Sequence, residues 1–472
     1  MDKIKQISNY IRNNKEKPIN VKELLLNNYE IILMIPLLAF MISPVYHFIG
    51  NLLFDSDYPF GGFYTYGYTV DYVIYMSFFF SLAGTILYLI NLRKAHNKLR
   101  VSDNIPLIFF GVVCLFIIAS TCINGFTAAA LHGDQYRDES IFSFLSYFLA
   151  FYLCGSLINS DRIKKLIIYA FIISNLIIDL ACLFNEYIRP IKIWEYSDKD
   201  APSAVFYQFN HYGYFLMLAI IVSAAVFVIE KSIKSRILAC FAFALNSFIL
   251  SMNTTFGCFL SCLVGLIFLI IADSILKKRL SFAAMAMFAL FIAVTYVSGL
   301  FYHSFFNELK LFFTDIKSVM GTLSEKVIDV TNENEVAVSS ADSAGTGRWG
   351  LWRNTINYIR ESPLFGWGIE GIANRLAVDS ANLNTRPHNE YLQYAAFFGI
   401  PAAAAYIIGC VSVFIHNWRK RRIITGYAFV CIAASFTYLF SAVFGNTMFY
   451  TAPFLFIFLG LSFQRDKNLT QK

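Results

Sequence analysis

The sequence has little charge. Of its 472 residues, 15% are Asp, Glu, Lys or Arg, whereas 57% are hydrophobic and 49 are Phe. A soluble domain carries about a quarter charged residues, so this composition excludes a soluble globular protein. The apolar residues also fall into blocks of roughly 20, the length that a helix needs to cross the hydrocarbon core of a bilayer. We therefore predict an all-α polytopic membrane protein.

Two further features are missing from the sequence. The long polar segments contain no cysteine, and the N-terminal residues contain no apolar leader. All nine cysteines lie inside apolar blocks. This distribution implies no disulfide framework and no cysteine metal site, and it favours buried thiols that act as small apolar residues. Residues 1–28 are polar and basic, without the apolar core of a secretory signal. We therefore expect no cleavable signal peptide.

Long apolar runs dominate the rest of the chain. They predict about twelve transmembrane helices, since each run can span a bilayer. The run 237–273 is too long for one helix, and Asn253, Thr254 and Thr255 form the predicted tight hairpin inside it. The predicted spans are 29–54, 70–92, 105–124, 140–158, 166–188, 206–230, 237–253, 256–273, 281–300, 390–415, 424–444 and 449–463.

Lys and Arg are distributed unevenly between the connections. Most of them fall on alternate connections and on both tails, whereas the short connections between these carry few. Because cytoplasmic loops are enriched in Lys and Arg, we predict that both termini are cytoplasmic. The net charge of +7 is then a topology signal and requires no nucleic-acid partner. The predicted organisation is a cytoplasmic tail at 1–28, the first nine spans at 29–300, an extracytoplasmic loop at 301–389, the last three spans at 390–463 and a cytoplasmic tail at 464–472.

The predicted extracytoplasmic loop has two different parts. Residues 323–345 are acidic, small and turn-rich, which indicates a mobile segment or a lid. Further on, apolar residues recur at helical spacing until Pro363. This pattern predicts an amphipathic helix over 348–360 that lies on the membrane or on the helix bundle. Its apolar stripe consists of Trp349, Trp352, Ile356 and Ile359.

Basic residues and a histidine gather in this loop and at its re-entry into the membrane. His388 can act as a general base near neutral pH; a histidine that caps a helix at the interface is the alternative. Arg348 and Arg386 can hold a phosphate or diphosphate through paired hydrogen bonds. Contact with lipid headgroups is the alternative, and Arg353 and Arg360 fit that alternative better. We take His388, Arg348 and Arg386 as the candidate site.

Several short motifs include these residues. They are R-x-x-x-W at Arg348 and Trp352; P-L-x-G-x-G at Pro363, Leu364, Gly366 and Gly368; and H-N-x-Y-L at His388, Asn389, Tyr391 and Leu392, followed by Gly399. Together with the aromatic run at 206–213, they resemble the O-antigen ligase and O-antigen polymerase superfamily of bacterial envelope glycosyltransferases. The chain departs from the family pattern twice. A hairpin that usually carries Arg reads Thr255-Phe256-Gly257 here, and the stretch 201–204 lacks the usual Arg.

The resemblance implies a metal-independent enzyme of the cytoplasmic membrane that needs no cofactor. Such enzymes take a glycan from an undecaprenyl diphosphate donor at the outer face and pass it to an acceptor hydroxyl. His388 would deprotonate or orient that hydroxyl, while Arg348 and Arg386 would stabilise the leaving diphosphate. Asn389 is a further substrate-binding candidate, and the donor sugar site would be lined by Gln208, Asn210 and His211.

The resemblance also implies the partners. They are an undecaprenyl diphosphate-linked oligosaccharide, an acceptor glycan, membrane lipids and other polysaccharide-assembly proteins. We favour polymerisation of capsule, exopolysaccharide or O-antigen repeat units; a ligase that moves finished glycan to a lipid or protein acceptor is the alternative. With no Arg at Phe256, the missing phosphate contact would come from Arg386, Lys199 or another residue.

Two rival interpretations stay open. Asp55 and Asp57 could hold a divalent cation against a diphosphate, although a solvated turn explains the same pair. Asp179 lies deep in an apolar run with Asn175 one turn away, and a proton-coupled flippase or transporter would use such a group. Transporter folds are often built from repeated halves. We find no such repeat, and charge is scarce in the spans, which favours the glycosyltransferase.

Overall fold

The computed structural model describes residues 34–53, 104–133, 139–189, 202–206, 209–301, 306–307, 310, 314, 348–379, 386–447 and 451–463. Every regular element in these ranges is an α-helix. Some of the sequence predictions fall outside them, namely the span at 70–92, the segment 323–345, Asp55, Asp57, Lys199 and Gln208.

The described ranges contain both long and short helices. In chain order they are α1 Ser43–Leu53, α2 Ile105–Asn124, α3 Ala128–His132, α4 Ile141–Leu157, α5 Asp161–Tyr187, α6 Phe209–Ile229, α7 Ile233–Asn253, α8 Phe256–Lys277, α9 Phe282–Phe301, α10 Arg348–Glu361, α11 Gly368–Asp379, α12 Glu390–Phe398, α13 Ile400–Arg419, α14 Gly426–Ser441 and α15 Ala452–Ser462.

Seven of these helices are long and apolar enough to cross a membrane, namely α2, α5, α6, α7, α8, α9 and α13. Three shorter apolar helices, α4, α14 and α15, pack among them. These observations confirm an all-α polytopic membrane protein. The count of about twelve spans remains a prediction.

Helix α6 lies at the centre of the bundle. Sixteen of its 21 residues are buried, and it packs against α7, α8 and α14. A helix that is apolar on every side can be accommodated only where neighbours surround it. Small residues such as Ala219, Ala224 and Ala225 are fully buried in it, which lets those neighbours approach closely.

The hairpin between α7 and α8 forms where the sequence predicts it. Thr254 turns the chain in the left-handed region at φ +59°. The Asn253 side-chain amide donates to the carbonyls of Pro202 (2.7 Å) and Phe209 (2.8 Å), which fixes the hairpin to the start of α6. A Cβ at Gly213 would lie 2.6 Å from Thr255 Oγ1, so only glycine allows this approach. We name this end of the bundle the hairpin end.

The predicted span at 390–415 is wrong as a single helix. Gly399, at φ +95°, separates α12 from α13, because neither Gly399 nor the following Pro401 favours an uninterrupted helix. Helix α12 folds back against α13, and the ring of Tyr394 stacks on that of Tyr406 at 4.3 Å. The Tyr406 hydroxyl donates to the fully buried Glu390 carboxylate (2.7 Å). This fold-back brings the first residue of α12 down beside the middle of α13.

The P-L-x-G-x-G motif packs against the break between α12 and α13 at Gly399. The Ile400 N–H donates to the Pro363 carbonyl, and the Trp367 N–H donates to the Ala396 carbonyl, both at 2.8 Å. A Cβ at Gly399 would lie 2.0 Å from the Leu364 oxygen, and one at Gly366 would lie 2.5 Å from the Ala396 oxygen. The two glycines therefore allow two backbones to interlock and attach α10 and α11 to the membrane helices.

At the opposite end, Glu230 ties three helices together. Its carboxylate accepts hydrogen bonds from Lys165 (2.7 Å), Tyr169 (3.1 Å) and Tyr427. Burial favours the neutral acid, but the hydrogen bonds outweigh it and hold the pKa of Glu230 below its ordinary value. The Glu230 carboxylate therefore has a structural role at this end.

Candidate active site

Several chain segments meet at the hairpin end. They are the start of α6, the α7–α8 hairpin, the start of α10, the residues just before α12, and residues 442–447, which follow α14. We name the last of these the 442–447 segment. Its contacts connect the candidate residues that the sequence identified, as the following distances show.

His388 has a constrained backbone. It adopts φ +49°, a region that non-glycine residues rarely occupy and that costs free energy unless the surroundings impose it. Its N–H donates to the Asn446 side-chain oxygen at 2.7 Å. On the other side, Asn389 caps α12 by accepting from the Leu392 N–H at 3.0 Å. The partly exposed His388 is thus held between the 442–447 segment and a capped helix.

Asn389 therefore has a structural role beside its predicted substrate contact. Asn is among the best N-cap residues because its side-chain oxygen satisfies an N–H in the first turn. The side chain of Asn389 is also largely buried. Its predicted role in substrate binding remains a prediction.

Arg386 lies in a buried polar network. Its guanidinium pairs with the Glu139 carboxylate, and the side chains are only 3% and 5% exposed. Glu139 also accepts from the Gln393 amide (2.8 Å), whose oxygen accepts from the Thr447 N–H (2.8 Å). The Phe397 ring lies 5.3 Å from the guanidinium carbon. The charge of Arg386 is thus balanced, and the network fastens the entry of α12 to the 442–447 segment.

Arg348 is in a different electrostatic environment. It is the first residue of α10 and is partly exposed. No ion-pair partner of Arg348 lies in the described parts of the chain. Its charge acts on Tyr214 and Cys258, so the guanidinium lies near the starts of α6 and α8. Cys258 is two residues from Phe256, the hairpin position at which the family usually carries Arg.

Tyr214 connects Arg348 with the segment that holds His388. The Tyr214 hydroxyl donates to the Ser441 carbonyl at 3.2 Å. It lies so close to Gly445 that a Cβ there would be 1.7 Å from the hydroxyl oxygen. Tyr214, on which the Arg348 charge acts, thus contacts the 442–447 segment, and the His388 N–H donates to Asn446 on the same segment. The structure brings these two predicted residues to one region.

Trp352 is a further candidate for the site, which the sequence reasoning did not name as a ligand contact. Its indole N–H is buried and has no acceptor among the described residues. Buried N–H groups normally have a partner, so this one is available to a ligand or water. Trp352 follows Arg348 by four residues and therefore faces the same side of α10. The R-x-x-x-W motif was the signal for this pair.

Of the predicted apolar stripe of helix α10, only Ile359 is among the buried residues of the helix. Its bounds, Arg348–Glu361, agree with the predicted 348–360 within one residue. Its buried residues are Leu351, Thr355 and Ile359, and it contacts α12. Trp349 and Ile356 are 38% and 39% exposed, so this part of the stripe does not pack on the bundle. Their exposure fits the predicted position at a membrane surface.

The predicted donor-sugar residues lie in the first turn of α6. Asn210 and His211 are both partly exposed. The Asn210 oxygen lies 3.5 Å from Thr255 Oγ1, a long contact, since that hydroxyl donates to Asn253 at 2.5 Å. These two residues therefore border the hairpin, at the same end as Arg348 and His388.

Asp179 is connected to this first turn. It is fully buried, and its carboxylate accepts from the predicted partner Asn175 at 3.5 Å. A shorter bond comes from the Tyr212 hydroxyl at 2.8 Å, which the sequence reasoning did not predict. Tyr212 follows His211 directly. The deep carboxylate therefore supports the start of α6.

In the described ranges, no group of three or more His, Cys, Asp or Glu side chains is placed to hold a metal ion. Asp55 and Asp57, the pair that could bind a cation, lie outside those ranges.

Residues 239–407 match the model of a family described as O-antigen ligase. The match includes the α7–α8 hairpin, Arg348, the P-L-x-G-x-G motif, His388 and the break at Gly399. It ends before the 442–447 segment and begins after α6. No curated protein matches the chain.

Proposed function

We propose that the chain, whose residues 239–407 match the O-antigen ligase family, polymerises lipid-linked repeat units as a member of the O-antigen ligase and polymerase superfamily. The donor is an undecaprenyl diphosphate-linked oligosaccharide at the outer face of the cytoplasmic membrane. The acceptor is a sugar hydroxyl of another glycan. The reaction needs no metal ion and no cofactor.

The observation that carries this proposal is the pairing of an unbalanced cation with an unsatisfied donor beside a constrained histidine. Arg348 has no ion-pair partner in the described ranges, and Trp352 offers a buried indole N–H on the same helix face. Two such donors suit the oxygens of a diphosphate. His388 borders the same 442–447 segment through Asn446.

The chemistry assigns one role to each residue. The bond between the donor anomeric carbon and its diphosphate oxygen breaks, and the electron pair leaves with the diphosphate. The acceptor oxygen forms the new bond to that carbon and gives its proton to the His388 imidazole. Arg348 stabilises the negative charge that develops on the diphosphate.

Arg386 is retained as a second diphosphate ligand in this proposal, with a separate structural contribution through Glu139. Asn210 and His211, with Gln208 next to them in sequence, are assigned to the donor sugar. Asn389 is assigned to substrate contact at the α12 entry. Arg348 carries the larger share of phosphate binding because no carboxylate neutralises it.

The test is a reaction of the purified protein with lipid-linked repeat units in the presence of EDTA. A ladder of products separated by one repeat unit supports the proposal. One transfer to a different lipid or protein acceptor would instead identify a ligase. Lipid movement between leaflets without any new glycosidic bond would identify a flippase and contradict the proposal. Activity that EDTA abolishes would contradict the metal-independent reaction.

A further inference from the structure

A cavity lies at the hairpin end and is not lined by His388. It has a volume of about 660 Å³ and opens between the end of α2 and the start of α11. This volume is within the usual range for small-molecule sites, roughly 300–1,000 Å³. The N–H of Trp367, a residue of the cavity wall, donates to the Ala396 carbonyl. Ala396 lies about 10 Å along α12 from the start of that helix beside His388. The cavity is therefore distinct from the candidate active site.

The cavity wall combines flat aromatic and polar side chains. Two aromatic rings, two carboxamides, one carboxylate and one guanidinium face it, from Tyr358, Trp367, Asn124, Asn374, Glu370 and Arg375. Arg375 also pairs with Glu361 at 3.5 Å, so the cavity offers no unbalanced cation to an anionic ligand. Glu370 lies in the first turn of α11 and offsets the positive end of the helix dipole.

The aromatic platform is fixed before any ligand binds. The Arg375 guanidinium lies 3.5 Å from the Trp367 ring centroid and 5.4 Å from that of Tyr358. The Trp367 indole N–H donates to the Tyr358 carbonyl at 2.8 Å. An oriented platform lowers the entropic cost of binding.

The polar side chains of the cavity are also fixed by hydrogen bonds. The Thr127 hydroxyl donates to Glu370 at 2.7 Å, and the Asn124 amide donates to the Ser120 carbonyl at 2.9 Å. Gly368, at φ +69°, brings α11 so close that a Cβ would lie 3.1 Å from Asn124 Cβ. The last glycine of the P-L-x-G-x-G motif therefore shapes this wall.

From this arrangement we propose that the cavity binds an uncharged segment of the glycan acceptor. Carboxamides and a carboxylate can exchange paired hydrogen bonds with neighbouring sugar hydroxyls. Aromatic rings offer apolar area to the C–H face of a sugar ring. The identity of the glycan rests on the proposed function, whereas the binding of a saccharide here does not.

This site gives the acceptor two points of attachment. A chain held in the cavity extends along α12 towards His388, so its terminal hydroxyl is presented repeatedly for transfer. A weakened cavity releases the chain earlier and shortens the product. The cavity then determines chain length without taking part in the chemical step.

The experiment measures binding and transfer separately. The probe is a set of short oligosaccharides made by partial hydrolysis of the polysaccharide that the source strain produces. Binding to the full-length protein is measured by calorimetry and by saturation-transfer NMR. The variants are Asn374→Ala and Glu370→Gln, and the matched control is Asn185→Ala, on the exposed end of α5 outside the cavity.

Each cavity variant should bind the oligosaccharide about five- to ten-fold more weakly, the effect of one lost hydrogen bond. The control should bind as the wild type does, and cavity variants should give shorter polymers. Equal affinity in all variants, or no binding by the wild type, overturns the inference. Binding that depends on the cavity in a protein that transfers no glycan supports it and contradicts only the proposed function.

Discussion

The surroundings of Arg386 and Arg348 differ, although the sequence assigns both residues the same role. Arg386 is buried against Glu139 and belongs to a network that reaches Thr447. Arg348 is partly exposed, has no ion-pair partner in the described ranges, and has an unsatisfied indole donor one turn away. A balanced guanidinium stabilises the fold, whereas an unbalanced one is available to a substrate anion. We therefore expect Arg386 to contribute mainly to folding and Arg348 mainly to catalysis.

The largest effect is expected from breaking the buried pair. Arg386→Gln leaves Glu139 buried without its cation, which should cost about 3–5 kcal/mol of stability. Thermal unfolding in detergent measures it. The double variant Arg386→Met with Glu139→Met removes both charges and should recover most of the loss. An unchanged unfolding temperature in Arg386→Gln, together with lost transfer, would show that Arg386 is mainly a phosphate ligand.

The second largest effect is expected on the transfer rate when Arg348 is replaced. Arg348→Ala should lower the transfer rate about 10²- to 10³-fold, because a charge that stabilises the leaving diphosphate is lost. The unfolding temperature should stay close to that of the wild type. Arg353→Ala is the matched control, since Arg353 lies on the exposed flank of the same helix. Equal activity of the two variants would remove Arg348 from the mechanism.

A smaller loss of stability is expected at Gly399, where the end of α12 packs against the P-L-x-G-x-G motif that follows α10. Gly399→Ala adds a Cβ where the backbone has φ +95° and the Leu364 oxygen is 2.0 Å away. We expect a loss of about 1–3 kcal/mol from strain and overpacking. Faster proteolysis of the α10–α11 region would report the loosened interlock. Gly111→Ala is the control, because a Cβ there meets nothing within 4 Å.

Much of the fold could be predicted from local patterns. The hairpin at 253–255 and the helix from Arg348 follow from apolar periodicity and turn residues, which act over a few positions. The family motifs identified Arg348 and His388, which lie at the same end of the helix bundle. The partner of Asp179 at Asn175 followed from helical spacing.

The remainder depends on contacts between distant parts of the chain. Glu139 and Arg386 are 247 positions apart, so no local pattern pairs them. The interlock of Gly366 and Gly399 likewise needs two separate backbones to meet, although each glycine stood in a motif. Asn446, which holds His388, lies beyond every motif that the sequence analysis used.

The most direct test of the central claim is a single-turnover measurement of glycan transfer. Wild-type and His388→Ala proteins with matched unfolding temperatures are mixed with lipid-linked repeat units in EDTA, and new glycosidic bonds are counted over time. The account predicts that the variant still binds the donor but transfers about 10²- to 10⁴-fold more slowly, the usual contribution of a general base. Transfer at the wild-type rate by His388→Ala would contradict the account.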